Sequence, residues 1–158
     1  MVIVYREKIT IPVNNYGFNL AIELHVRYHI YMTTWESGRE SHLLDDIIAG
    51  RKTIEGRLNK GKFSDYRIGD LIWLRRDYRD KDGILHDGEP HFCRVKIIDI
   101  RHYASFLDLT RAEDFKTVIP YADTAEQAAD EYNKFYSPED QASYGVLAIQ
   151  IALAPTDE

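Results

Sequence analysis

The sequence predicts an α+β protein: a small mixed β-barrel, partly closed, with a few α-helices at its periphery. Three observations carry that prediction. Alternating or continuously apolar segments recur at residues 21–32, 71–74, 92–100 and 145–153; the connections are short; and helical spacing is confined to stretches near 41–48, 105–115 and 125–136. No internal repeat, low-complexity tract or Pro/Gly/Ser linker divides the 158 residues, a length that suits one core.

Residues 2–33 are rich in Val, Ile and Tyr, and Asn14-Asn15-Tyr16-Gly17 reads as their turn. The run from Ala21 to Met32 alternates apolar with polar side chains, as a half-buried strand does. Ser41 is placed to cap a helix whose apolar stripe is Leu43, Leu44, Ile47 and Ile48, and Gly50 supplies its stop. Residues 52–57 read as extended. After a basic loop, Asn59-Lys60-Gly61-Lys62, the pair Gly69-Asp70 leads into a strand at Leu71-Ile72-Trp73-Leu74. Asp82-Gly83 and Asp87-Gly88 read as hairpin-type turns. Phe92 to Ile100 alternates cleanly, and Gly145 to Leu153 is apolar enough for a buried closing strand. Thr124 with Gln127 forms a capping box for the helix that follows.

A formal net charge of −6 argues against a protein that coats nucleic acid indiscriminately, because phosphate binding is driven by cations. The charge is unevenly placed. From Arg51 to Arg76 there are eight Lys or Arg against three Asp or Glu, whereas residues 121–158 carry eight acidic side chains and one Lys. Cys93 is the one cysteine, so no disulfide framework is expected; a reducing, cytoplasmic setting is, with Cys93 as a small buried hydrophobe. No apolar run has the length of a membrane span or a signal peptide. His86, His91 and Cys93 lie close together but lack the paired spacing of a zinc site, so no metal is expected. Without a Gly-rich phosphate loop, nucleophile elbow or dinucleotide fingerprint, no cofactor is expected either.

One window looks chemical: Gly50-Arg51-Lys52-Thr53-Ile54-Glu55-Gly56-Arg57. On a strand, Thr53, Glu55 and Arg57 share a face, while Lys52 sits at the helix-to-strand junction. The catalytic candidates are Lys52, as activator of a hydroxyl or water, Glu55, as proton acceptor, and Thr53, which offers a hydroxyl. Arg57 would hold a phosphate or carbonyl. A plain same-face Glu55–Arg57 pair is the alternative reading of the same spacing. Downstream, Lys60, Lys62, Arg67, Arg75 and Arg76 are candidates for tracking backbone phosphates. Tyr66, flanked by polar residues, is the candidate for stacking a base, whereas Trp73 reads as core.

The ordered combination Gly50-x-Lys52-Thr53-Ile54-Glu55-x-Arg57, Ile68-Gly69-Asp70, Tyr103-x-Ser105-Phe106 and Tyr144-Gly145-Val146 resembles the ASCH family, whose members are similar in fold to PUA domains, RNA-binding pseudobarrels. The resemblance runs from about Tyr28 to Leu153, so residues 1–25 are set apart as a strand-like N-terminal extension and 26–158 as an ASCH/PUA-like domain. It implies a cleft lined by the Lys, Glu and Arg of the motif. Family members have been linked to RNA binding, ribonuclease action and hydrolysis of N4-acetylcytidine. The acetylcytidine hydrolases carry a Thr three positions after the motif Lys, where this chain has Glu55.

The leading expectation is therefore a module that binds single-stranded RNA or a modified nucleoside in that cleft, with Arg57, Lys60, Lys62, Tyr66 and Arg75 as contacts. The alternative is a small hydrolase, amidohydrolase or ribonuclease, that uses Lys52 with Glu55 or Thr53. A third reading is an interaction module recruiting a partner through the acidic C-terminal helix of Glu126, Asp130 and Glu131.

Overall fold

The computed structural model describes the backbone of residues 2–9 and 24–31 and, in full, residues 33–156. The chain divides into two compact units, Met1–Thr33 and Thr34–Glu158. In the first, β1 (Val2–Ile9) pairs antiparallel with β2 (Leu24–Tyr31), in register from Val2 opposite Tyr31 to Ile9 opposite Leu24. Residues 26–31 thus pair with β1 rather than joining the larger sheet. The turn expected at Asn14–Gly17 lies outside the described residues.

The second unit is a mixed five-stranded sheet with five α-helices among the described residues. Its strands are β3 (Thr34–Glu40), β4 (Ile54–Leu58), β5 (Leu71–Arg79), β6 (Leu85–Tyr103) and β7 (Val146–Ala154), in the spatial order β3-β5-β6-β7-β4. All neighbours are antiparallel except β3 and β5. That parallel pair requires a crossover, which α1 (Ser41–Ile48), β4 and a 3-10 turn (Gly61–Asp65) supply. The α+β content is as expected; the barrel is not closed. β3 and β4 end the sheet, and in place of a ladder they meet through the ion pair of Arg39 with Glu55.

Two hydrophobic clusters lie on the faces of the sheet, and β7, apolar throughout except for Gln150, serves both. Val146 and Ala148 join Ile54, Leu58, Phe106, Leu109 and Ala128. Their neighbours Leu147, Ile149 and Ile151 pack with Leu44, Ile47, Ile72, Leu74 and Val95. A strand covered on both sides has no reason to alternate in polarity.

Several local expectations change. Ser41 does not cap α1: Glu40 is the N-cap residue, and the Ser41 hydroxyl donates instead to the Asp77 carbonyl at 3.0 Å. Leu44 and Ile47 are buried, but Ile48 stays 41% exposed, so the stripe is narrower than the spacing suggested. Gly50, at φ +72°, does end the helix and donates to the Ile47 carbonyl. Asp87-Gly88 is no turn but part of β6. A Cβ on Gly88 would stand 1.9 Å from the Arg76 carbonyl oxygen, beside a register shift in the β5–β6 ladder. The stretch 105–115 splits into α2 (Phe106–Ala112) and α3 (Phe115–Val118), because the Asp114 side chain caps the second piece by accepting the Lys116 N–H. α4 (Ala125–Asn133) is capped as expected by Thr124, while the Gln127 side chain accepts from Asp123 N–H, one residue upstream. α5 (Pro138–Tyr144) was not anticipated, although Ser137 before Pro138 is a helix-start signal. No helix among the described residues is long and apolar enough to cross a membrane.

Candidate functional site

The site begins where α1 hands over to β4. The Asp46 carbonyl accepts the N–H groups of both Arg51 and Lys52, so the chain leaves the helix tightly and carries the Lys52 side chain inward. Lys52 is 2% exposed, and its ammonium donates to the carbonyls of Ile54 at 2.9 Å and Val118 at 2.5 Å. Val118 is the last residue of α3, whose terminal carbonyls lack helical partners, so Lys52 caps that helix from a distance.

β4 then alternates. Ile54 and Leu58 enter the core beneath the helices, while Glu55 and Arg57 point to the opposite face. Glu55 is the hub. Its Oε1 lies 2.8 Å from Arg39 Nε and 3.8 Å from Lys52 Nζ, and its Oε2 lies 3.2 Å from Arg57 Nη2. Arg39 also donates to Ser37 Oγ and the Gly38 carbonyl, and Arg57 to the Gly56 carbonyl. Burial alone would raise the Glu55 pKa, but Arg39, Lys52 and Arg57 together outweigh it and hold the carboxyl down at about 2. For Lys52 burial wins: desolvation brings its ammonium down to about 8, despite the opposing pull of Glu55. Three cations therefore surround one carboxylate, a positive excess away from bulk water.

This cluster floors a cleft of about 340 Å³, within the range of small-molecule sites. Its walls include Tyr121, Tyr132, Phe135 and Tyr136, and its mouth carries the pairs Glu40–Arg79 and Glu131–Lys134. Tyr132 and Tyr136 are held by Phe106, which stacks on both at centroid distances of 4.4 and 5.2 Å. Gly56 donates its N–H to the Tyr132 hydroxyl at 3.2 Å, and a Cβ there would stand 2.8 Å from the ring. A side chain at position 56 would displace the wall.

Of the candidates named from sequence, Lys52, Glu55 and Arg57 meet in this cleft and the others do not. Thr53 lies in a separate hollow with Ile47, Ile98 and Leu153, because β4 pairing starts at Ile54 and the Thr53 N–H and carbonyl are taken by Thr117 and Ile151. Lys60 sits over the Tyr144 ring at 4.4 Å, and Lys62 donates to the Glu36 carbonyl. Arg75 is engaged by Asp77 and Asp87, Arg76 by Asp45, and Arg67 by the carbonyls of Ser64 and Tyr66. The basic tract is largely consumed by internal pairs. Tyr66 is corrected most sharply: it is 4% exposed, its ring packed 5.1 Å from Trp35 and 5.5 Å from Phe63, and so offers no face to a base. Trp73 is only half-buried, between His91 and Arg94, and Cys93 is half-buried at the margin of the core. Among the described residues no group of three His, Cys, Asp or Glu side chains is arranged to hold a metal.

Arg39 and the aromatic wall were missed. Arg39 reaches Glu55 across the open seam of the sheet, a meeting no local pattern announces. Tyr132 and Tyr136 did leave a trace in their spacing of four, which is that of one helical face, but the acidic residues around them mask it, and α4 itself ends at Asn133.

Comparison with known proteins places this architecture. The ASCH domain family matches residues 40–155, most of the chain and all of the cleft floor except Arg39. The protein belongs to the ASCH family. Its fold superposes on the hypothetical protein PH0355 with a TM-score of 0.64 at 31% identity, over 77% of this chain and 100% of that one. Protein PF0455 from Pyrococcus furiosus gives 0.60 at 30% identity, over 77% and 97% of the two chains. An ASCH domain from Lactobacillus crispatus gives 0.52 at 14% identity, over 78% of this chain and 80% of that one, a likeness of fold alone. None of the curated proteins matches the chain.

Proposed function

We propose that this ASCH domain binds a nucleotide of single-stranded RNA, or a modified nucleoside, in the cleft between β3, β4 and α4. The observation that carries the reading is the pairing of an aromatic wall with a floor of three cations around one carboxylate, in a space of nucleoside size. A base would lie against Tyr132, Phe135 and Tyr136, and a phosphate or carbonyl oxygen would take the guanidinium N–H groups of Arg57 and Arg39. The family is thought to bind RNA, which agrees with this chemistry.

The test is calorimetric titration with short single-stranded RNAs, cytidine and N4-acetylcytidine at two salt concentrations. Arg57→Ala is expected to weaken binding by about tenfold or more, the loss of a charged hydrogen bond, whereas Arg75→Ala, outside the cleft, leaves it unchanged. Weakening by Arg75→Ala or Lys60→Ala with Arg57→Ala neutral would move the site to the basic tract and end this reading.

One observation favours a second reading, hydrolysis: the buried Lys52 amine, lowered to about 8, stands beside Glu55 on the cleft floor. Thr53, turned to another surface, has no part in it. Incubation with N4-acetylcytidine and with RNA should then show turnover that Lys52→Met abolishes; no turnover by the wild type removes the proposal.

A further inference from the structure

The ion cluster also borders a second and much smaller cavity of about 10 Å³. Arg39, Glu55 and Arg57 form one side of it, and Ile72, Leu74, Val95, Ile149 and Ile151 form the other. Tyr66 also lines it. The Tyr66 hydroxyl is sealed from solvent and has no hydrogen-bond partner among the described residues. We infer that this cavity is the site of one buried water, which accepts from or donates to the Tyr66 hydroxyl and donates to the Glu55 carboxylate.

Three features make water the fitting occupant. The volume is at the threshold for a single water and too small for any organic group. The polar partners number enough to satisfy it: a carboxylate with acceptor capacity beyond its bonds to Arg39 and Arg57, two guanidinium groups, and a phenol that both donates and accepts. The Tyr66 ring cannot swing to find a direct partner. Trp35 lies 5.1 Å from it, tied by its indole N–H to Asp70 at 2.8 Å, and Phe63 meets it edge-on at 5.5 Å, with the Arg57 guanidinium over the Phe63 ring at 5.4 Å. A monatomic anion would share the two arginines but would face the ionised Glu55 as well, whereas water presents hydrogens to the carboxylate and its oxygen to a donor.

Tyr66 is then a positioning residue. Through the water it braces Glu55, holding the carboxylate between Arg39 and Arg57 so that the remaining guanidinium N–H groups face the cleft. This bracing is the same whatever the cleft binds.

The experiment is crystallography of the wild type and of Tyr66→Phe from bromide-containing solution, with stability followed against pH for both. In the wild type we expect one density peak, without bromine anomalous signal, within hydrogen-bond reach of Tyr66 Oη and Glu55. In Tyr66→Phe the peak is lost, Glu55 populates a second rotamer, and the acid limb of the stability curve moves to higher pH. Should the variant fail to fold, cross-relaxation from a long-lived water to the Tyr66 ring protons of the wild type serves the same purpose. An anomalous bromide peak, a Tyr66 hydroxyl bonded directly to protein with the cavity collapsed, no water-to-ring transfer, or an unmoved acid limb would each overturn the proposal.

Discussion

Replacing Glu55 by Gln keeps the shape of the cleft floor and removes its one negative charge, leaving Arg39, Lys52 and Arg57 buried without a counter-charge. The size of the effect follows from the carboxyl's own titration. A group held at about 2 in the fold against 4.5 when free favours the folded state by about 3 kcal/mol at neutral pH, at about 1.4 kcal/mol per tenfold change in proton affinity. Breaking a buried pair from one side costs about 3–5 kcal/mol, which agrees. The sign is fixed by the direction of the shift: the contribution is complete above pH 4.5 and is lost as pH falls through about 2. Urea denaturation at pH 7 should therefore show Glu55→Gln destabilised by about 3 kcal/mol, about 10 °C in Tm for a chain of this length, and the variant's stability should be flatter between pH 2 and 4.5. Adding Lys52→Met to the variant takes one uncompensated cation away and should restore part of the loss, a coupling measurable in a double-mutant cycle. A loss below about 1 kcal/mol, with the acid limb unchanged, would refute the claim that the floor is sealed from bulk solvent.

Other outcomes are expected from the same geometry. Because Lys52 is lowered from 10.5 to about 8 by burial, the folded state sheds its proton first, so stability should rise with pH between 8 and 10.5, by about 3 kcal/mol at most; Lys52→Met should abolish that rise. Gly56→Ala, whose Cβ would lie 2.8 Å from the Tyr132 ring, should cost about 1–3 kcal/mol in denaturation and weaken cleft binding more than it weakens the fold. Gly38→Ala places a Cβ 1.9 Å from Asp77 Oδ2, so it should destabilise through the Arg75–Asp77 pair by a similar amount while leaving ligand specificity unchanged.

The readable parts of this chain were those governed by neighbours in sequence. The alternation of Phe92–Ile100, the apolar run ending at Leu153, the stop at Gly50 and the cap at Thr124 all reflect φ/ψ preferences and periodicities that act within a few residues. The candidate triad Lys52, Glu55 and Arg57 was legible for the same reason, since strand spacing alone puts the last two on one face. α5 was overlooked although Ser137-Pro138 marked its start, because seven mostly polar residues carry little apolar periodicity.

Which charges are solvated and which are sealed depends on elements far apart in the chain. Tyr66 sits among polar neighbours in sequence and among Trp35, Phe63 and aliphatic side chains in space. Thr53 falls one residue short of the ladder that aims Glu55 and Arg57. The basic tract from Arg51 to Arg76 is real as composition, yet Arg75 and Arg76 are neutralised by Asp77, Asp87 and Asp45. By itself the sequence determined the α+β character, the strands and helices with strong periodicity, and the motif that floors the cleft, while β3 and α5 carried too little apolar periodicity to be read. Only the tertiary structure brought Arg39 across the open seam of the sheet and Tyr132 onto Gly56, because burial and ion pairing are decided by the company a side chain keeps after the chain has closed on itself.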